Sequence, residues 1–161
     1  MNYHTIVVNN FFDDPYKIIE LSKTQTYYFP QKDIPNQGWL GSRSENLKYN
    51  FVIDKVLSYY FSSKVKYQSE IFFHKSSFIK QDKKSYIHRD ISHQIAGLIY
   101  LNDTNDINSG TTLYDENFNE SLITSNRFNT MICYDSKQFH GPTSLDVDRL
   151  TMPFFINLIN E

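Results

Sequence analysis

The chain has 161 residues, 21% of them charged, and a formal net charge of -2. This length suits one domain spanning residues 1–161 with a core of its own. The near-neutral charge, without a long basic run, excludes an electrostatic case for nucleic acid or an anionic membrane as partner.

Aromatic residues make up 16%, with 13 Phe and 12 Tyr against a single Trp, a bias that favours strands. A lone cysteine, Cys133, excludes an internal disulfide framework and fits a reducing compartment. It lies in a strand-like run and reads as a buried structural thiol rather than a nucleophile. Met1-Asn2-Tyr3-His4 shows neither the charged nor the apolar part of a signal peptide, and no window reaches the length of a membrane span. A cytoplasmic location is expected.

Residues 5–8 read as a first short strand. Asp13-Asp14-Pro15 starts a helix, with Asp14 as cap and Pro15 in the first turn, that should run to about residue 24. Pro30 then biases Phe29 towards extended backbone. Residues 31–44 turn to Pro, Asn, Gly and Ser around Trp39, a long loop of the kind that often carries function. Trp39 and Arg43 are either a substrate-facing lip or a core plug and a solvated charge. Leu47, Phe51, Val52, Val56, Tyr59 and Tyr60 recur near helical spacing and predict a second helix over 45–61.

Short strands follow. The spacing predicts one over 66–79, broken near Ser76-Ser77, a polar turn at 81–84, and a strand end at 86–90. Residues 94–102 are apolar on both faces, as in a central strand covered twice. After a turn-rich loop at 103–110 come strands at 111–114 and 121–124, on either side of Asn117-Phe118-Asn119, and then 128–134 and 149–157. A helical N-terminal part followed by many short strands predicts a mainly β (α+β) fold. The expected architecture is an antiparallel double-sheet barrel with the N-terminal helices packed outside.

The chemistry gathers in the second half. His88-Arg89-Asp90 puts two metal ligands on one face of extended chain, because strand side chains alternate with a period of two, and Arg89 then points away. The triplet alone also fits an exposed polar turn. His140, in Phe139-His140-Gly141-Pro142, offers a third ligand at a strand end. Two His and one carboxylate with open positions is the ligand set of non-haem Fe(II) oxygenases. His93 competes with His88, whereas His4 and His74 read as surface or capping residues. Nine residues past His140, Arg149 opens an apolar strand, where a guanidinium is costly unless it meets an anion. Asp146 or Asp148 would serve as an ion pair. A bound dicarboxylate gripped in a bidentate fork, with Thr151 adding a hydroxyl, would serve better.

These elements resemble the 2-oxoglutarate/Fe(II)-dependent dioxygenases, in particular their prolyl-hydroxylase-like branch. The resemblance covers residues 86–157 and extends faintly to Phe11-Phe12-Asp13-Asp14-Pro15. It implies a double-stranded β-helix, a jelly-roll or cupin-like barrel, with iron held by His88, Asp90 and His140. It implies that Arg149 holds the far carboxylate of 2-oxoglutarate. Tyr100-Leu101-Asn102 matches the family's Tyr-Leu-Asn run, so Tyr100 carries over to the same carboxylate. Ser109-Gly110-Thr111-Thr112-Leu113-Tyr114 resembles its Gly-Gly-x-x-x-Phe segment. Pro153 interrupts a strand that should be paired and calls for an edge position or a bulge.

The implied activity is hydroxylation by O2 with 2-oxoglutarate as cosubstrate and ascorbate as a reductant. The substrate would be an amino-acid side chain, peptidyl (prolyl included) or free, or another small molecule, with loops 31–44 and 103–110 at the entrance. The alternative is a non-catalytic or different-metal cupin-like binding module. A zinc hydrolase is disfavoured, because no Glu stands beside the ligands as general base.

Overall fold

The computed structural model describes residues 3–29, 41–76, 86–103, 106–144 and 148–159. Its elements are β1 (Ile6–Val8), α1 (Pro15–Lys23), β2 (Tyr27–Tyr28), β3 (Ser42–Ser44), α2 (Asn50–Leu57), β4 (Tyr67–Ile71), β5 (His74–Ser76), β6 (Ile95–Tyr100), β7 (Asp106–Tyr114), β8 (Glu120–Asn126), β9 (Thr130–Asp135), β10 (Phe139–Pro142) and β11 (Arg149–Leu158). Neither described helix is long and apolar enough to cross a membrane.

Helix α1 begins as its sequence directs: the Asp14 carboxylate accepts from the Lys17 amide at 3.3 Å, and Pro15 takes the first position. Helix α2 is shorter than the 45–61 pattern predicts. The chain before it is drawn into the sheet, with the Ser44 amide donating to the Phe73 carbonyl (2.9 Å) and the Leu47 amide to the Ile71 carbonyl (2.7 Å). Residues committed to strand partners cannot also close helical turns.

The strands form two antiparallel sheets. One has eight strands in the order β1-β9-β6-β11-β5-β3-β2, with β4 also paired to β11; the other has three, β10-β7-β8. Neither sheet closes on itself, so the barrel expected from the sequence is corrected to a mixed helix-and-sheet fold with two open sheets. The reason lies in what joins them. Between the sheets run the hydrogen bonds of Arg149 to the Ser109 and Gly110 carbonyls and of the Tyr100 hydroxyl with those of Thr111 and Thr124, while His88, in neither sheet, meets β10 through an isolated bridge. No continuous ladder connects them among the described residues.

The eight-stranded sheet is covered on both faces, as the unbroken apolar run of β6 requires. Ile95, Ile99, Met131, Met152, Phe154 and Ile156 pack with Phe11, Val52, Ile53 and Val56 in the larger core. Ala96, Tyr100, Ile132 and Tyr134 face Leu113 of the three-stranded sheet in a smaller one. Cys133 is fully buried in the larger core. Burial pushes its thiol up to about 11, with Sγ 3.2 Å from the Tyr60 hydroxyl, a structural and unreactive setting.

Pro153 sits in neither a bulge nor an edge strand. Strand β11 is interior, between β6 and the β4/β5 pair. The Pro153 carbonyl accepts from the Phe72 amide at 3.3 Å, and Phe72 lies in the break between β4 and β5. The missing proline donor therefore falls where the neighbouring strand is already interrupted. The loop expected at 103–110 is strand from Asp106 onward, and its residues 104–105 fall outside the described chain, as do Pro30, Trp39, Ser77, Asp146 and the turn at 81–84.

Asn129 fastens the N-terminal segment to this frame. At φ 55° its backbone is left-handed, and its side-chain amide bonds both the amide and the carbonyl of Phe12 at 2.8 Å. Its carbonyl accepts from the Phe11 amide at 2.9 Å. Asn129→Ala loses two buried hydrogen bonds and strains the backbone, and should destabilise the fold by about 2–4 kcal/mol. Asn129→Gly should lose less, because glycine adopts this φ freely. Urea unfolding of the three proteins measures the difference; equal midpoints would contradict this role.

Candidate metal centre

The site forms where the His88-Arg89-Asp90 segment meets β10. The His88 amide donates to the His140 carbonyl at 2.9 Å and the His140 amide returns to the His88 carbonyl at 3.0 Å. Directly paired residues in such a bridge point to one face, and the two rings lie 4.3 Å apart between centroids. Asp90, two residues on, joins them, its position fixed by its own amide donating to the Ser136 carbonyl at 2.9 Å. One donor atom from each of His88, Asp90 and His140 lies within 4.8 Å of the others.

The protonation pattern of this cluster suits a cation. Nδ1 of His88 lies 2.8 Å from the Tyr86 carbonyl and Nδ1 of His140 lies 2.9 Å from the Gln138 carbonyl. A carbonyl only accepts, so each Nδ1 carries the ring proton and each Nε2 presents a lone pair. Those lone pairs face the Asp90 carboxylate, 3.6 Å from Nε2 of His88 and 3.1 Å from Nε2 of His140. Three acceptors at such range repel unless a positive charge lies among them. Burial, then the competition of His140 for a proton and the charge of Arg43, hold the His88 imidazole below its usual range despite the Tyr86 bond and Asp90, which disfavours a second proton there. Burial opposes the Asp90 charge, and in the absence of metal only a second proton on His140, shared with Asp90 through Nε2, offsets it and keeps the carboxyl below its usual range; a cation would take the place of that proton. A divalent metal meets this donor set without protonating any member, and the His88 side chain, 57% exposed, leaves the cluster open on one side.

His93 takes no part in the cluster. The chain turns after Asp90, and the His93 ring stacks on Phe155 at 4.9 Å with Nε2 3.9 Å from Glu70. Arg89 points away from the ligands, over the Phe139 ring at 3.7 Å and paired with Glu116 in the β7–β8 turn.

Arg149 crosses from β11 to β7. Its Nη1 donates to the Ser109 carbonyl (2.7 Å) and the Gly110 carbonyl (2.9 Å). Its Nη2 and Nε groups donate to no described residue, and among the described residues it forms no ion pair, Asp148 included. Burial lowers its proton affinity, with Tyr100 and Tyr134 opposing. Thr151 is buried and sits opposite Tyr100 in the β11–β6 register. The Tyr100 hydroxyl donates to the Thr111 hydroxyl at 2.7 Å and lies 2.9 Å from that of Thr124, so Tyr100 is satisfied within the protein.

Two residues near the triad carry more than the sequence suggested. Arg43 is half-buried rather than solvated: its guanidinium lies 4.7 Å from the Phe72 ring centroid, and burial lowers its pKa to about 10, with Asp90 and Glu70 opposing. Tyr134 packs against His140 at 4.8 Å between ring centroids. Its signal was available, as a strand residue of opposite parity to Cys133 that faces inward shortly before His140, but an aromatic in a strand reads first as core.

No family model and no curated protein matches the sequence. Solved structures do. An oxidoreductase of the 2OG-Fe(II) oxygenase family from Burkholderia pseudomallei aligns with a TM-score of 0.67 at 12% identity, over 95% of this chain and 84% of that one. A prolyl hydroxylase from Trichoplax adhaerens, solved with a hypoxia inducible factor peptide fragment, aligns at 0.64 and 11% identity, over 95% and 83%. HygX from Streptomyces hygroscopicus, solved with nickel and 2-oxoglutarate, aligns at 0.61 and 12% identity, over 96% and 83%. At these identities the likeness is one of fold.

Removing one donor tests the cluster. Asp90→Ala should weaken Mn(II) binding in calorimetry by more than the roughly 100-fold that loss of an outer-shell partner costs. Arg89→Ala should leave it nearly intact. Equal losses in the two variants would show that the triplet does not hold metal by its alternating face.

Proposed function

We propose that this chain is a working 2-oxoglutarate/Fe(II)-dependent dioxygenase that hydroxylates an amino-acid side chain, peptidyl or free, or another small molecule. The shared fold and the His88–Asp90–His140 set together support assignment to that oxygenase superfamily, in its prolyl-hydroxylase-like branch.

One observation carries the reading. Three metal-ready acceptors converge where β10 meets the His88 segment, and the half-buried Arg149 guanidinium, anchored on the neighbouring strand β7 through one nitrogen, donates from its other two to no described residue. In this reading His88, Asp90 and His140 hold Fe(II), and their facial arrangement leaves positions for a keto acid and O2. When bound, metal and cosubstrate supply the oxidation of a C–H bond, with decarboxylation of 2-oxoglutarate to succinate and CO2. The protein orients and encloses. Tyr86 and Gln138 fix the imidazoles through their Nδ1 protons. Arg149 grips the far carboxylate, with its plane set by the two β7 carbonyls. Thr151 stands beside it as a further donor, and Tyr100 contributes to the same wall. Arg149 moves no proton; its charge selects a dicarboxylate.

Succinate formation from 2-oxoglutarate should require Fe(II) and be supported by ascorbate. Arg149→Ala should weaken 2-oxoglutarate binding by about 10- to 100-fold, the value of hydrogen bonds to a charged group, while iron affinity stays nearly unchanged. Arg149→Lys should recover only part, because an ammonium cannot offer the planar fork. Unchanged cosubstrate affinity in Arg149→Ala would remove that assignment. Metal binding without any succinate formation, across peptides and free amino acids, would favour the binding-module reading.

A further inference from the structure

We infer that the Tyr134 hydroxyl is a further cosubstrate-contacting group, donating a hydrogen bond to the metal-proximal end of the keto acid. The inference deepens the proposed function and rests on it.

Tyr134 lies on β9 opposite Ala96 of β6, which in turn lies opposite Phe155 of β11. Paired residues share a face, so this row looks from the large sheet towards the small one. There Tyr134 packs with Ala96, Tyr100, Leu113 and Ile132, only 3% exposed, its ring against His140. Its hydroxyl makes no hydrogen bond with a described residue, and it is not among the polar atoms sealed from solvent without a partner, so it opens onto accessible space beside the site. Buried phenols normally find a partner, and the neighbouring Tyr100 hydroxyl has two. The hydroxyl feels both charges that bracket the site, Asp90 at the metal end and Arg149 at the far end. A donor beside His140, with no acceptor among the described residues, is matched by an oxygen-rich anion that arrives with the metal. A purely structural Tyr at this place would gain nothing from its oxygen over Phe.

Tyr134→Phe removes that oxygen alone. Anaerobic titration of the Fe(II)-loaded protein with 2-oxoglutarate follows the visible metal-to-keto-acid charge-transfer band. The variant should bind 2-oxoglutarate about tenfold more weakly, the order expected for one hydrogen bond to a charged acceptor. Its band should move to shorter wavelength, because a lost donor raises the energy of the keto-acid acceptor orbital. Mn(II) affinity without keto acid, and the melting temperature of the metal-free protein, should match those of the unsubstituted chain. Unchanged affinity and band position would overturn the inference while leaving the proposed function standing. A lowered melting temperature or Mn(II) affinity would assign the hydroxyl a structural role and overturn it equally. If the unsubstituted protein gives neither band nor binding, the proposed function falls, and this inference with it.

Discussion

The reciprocal backbone bridge between His88 and His140 is the constraint from which the site follows. Two amide–carbonyl bonds, 2.9 and 3.0 Å, hold together segments more than fifty residues apart, and no longer ladder helps them among the described residues. Because the pair is antiparallel and directly opposed, both imidazoles must emerge on one face. The period of two then brings Asp90 to the same side. Each ring is turned by a carbonyl two residues back along its own chain. Ligand identity, orientation and tautomer all trace to local backbone geometry rather than to side-chain packing.

The second constraint is electrostatic. A half-buried guanidinium must be met, and here β7 meets one nitrogen of Arg149 through two carbonyls. That contact also ties the large sheet to the small one. His140 and the Arg149 anchor thus lie on paired strands of the small sheet: His140 on β10 sits opposite Leu113 of β7, and the anchoring carbonyls of Ser109 and Gly110 lie further along β7. A ligand spanning both would draw the sheets together rather than distort one of them.

Much of the site could be read from residue order. His88, Asp90, His140 and Arg149 were legible because each is a residue type that strands normally avoid, set at spacings that strand alternation makes meaningful. Tyr134 was not, since an inward aromatic on a strand has the same pattern whether or not its hydroxyl meets anything. The fold was legible at the level of single elements. The cap at Asp14 and the doubly covered β6 follow from local chemistry alone. The length of α2 does not, because the pull of Phe73 and Ile71 on Ser44 and Leu47 is a tertiary competition invisible to helical periodicity. Barrel closure failed for the same reason: alternation says which face is buried, not whether the last strand finds the first. Pro153 shows the limit most clearly. Its rule demanded a gap in hydrogen bonding, and the gap was supplied by a neighbour's break at Phe72 rather than by an edge.

The most direct measurement is a crystal structure of the protein with Mn(II) and 2-oxoglutarate. It should place one metal at about 2.0–2.2 Å from Nε2 of His88, Nε2 of His140 and a carboxylate oxygen of Asp90, the distances of nitrogen and oxygen donors. The keto acid should chelate that metal, with its far carboxylate on the Nη2 and Nε side of Arg149. A metal held through Nδ1 or by other residues, or a keto acid that leaves Arg149 unmatched, would contradict this reading of the site.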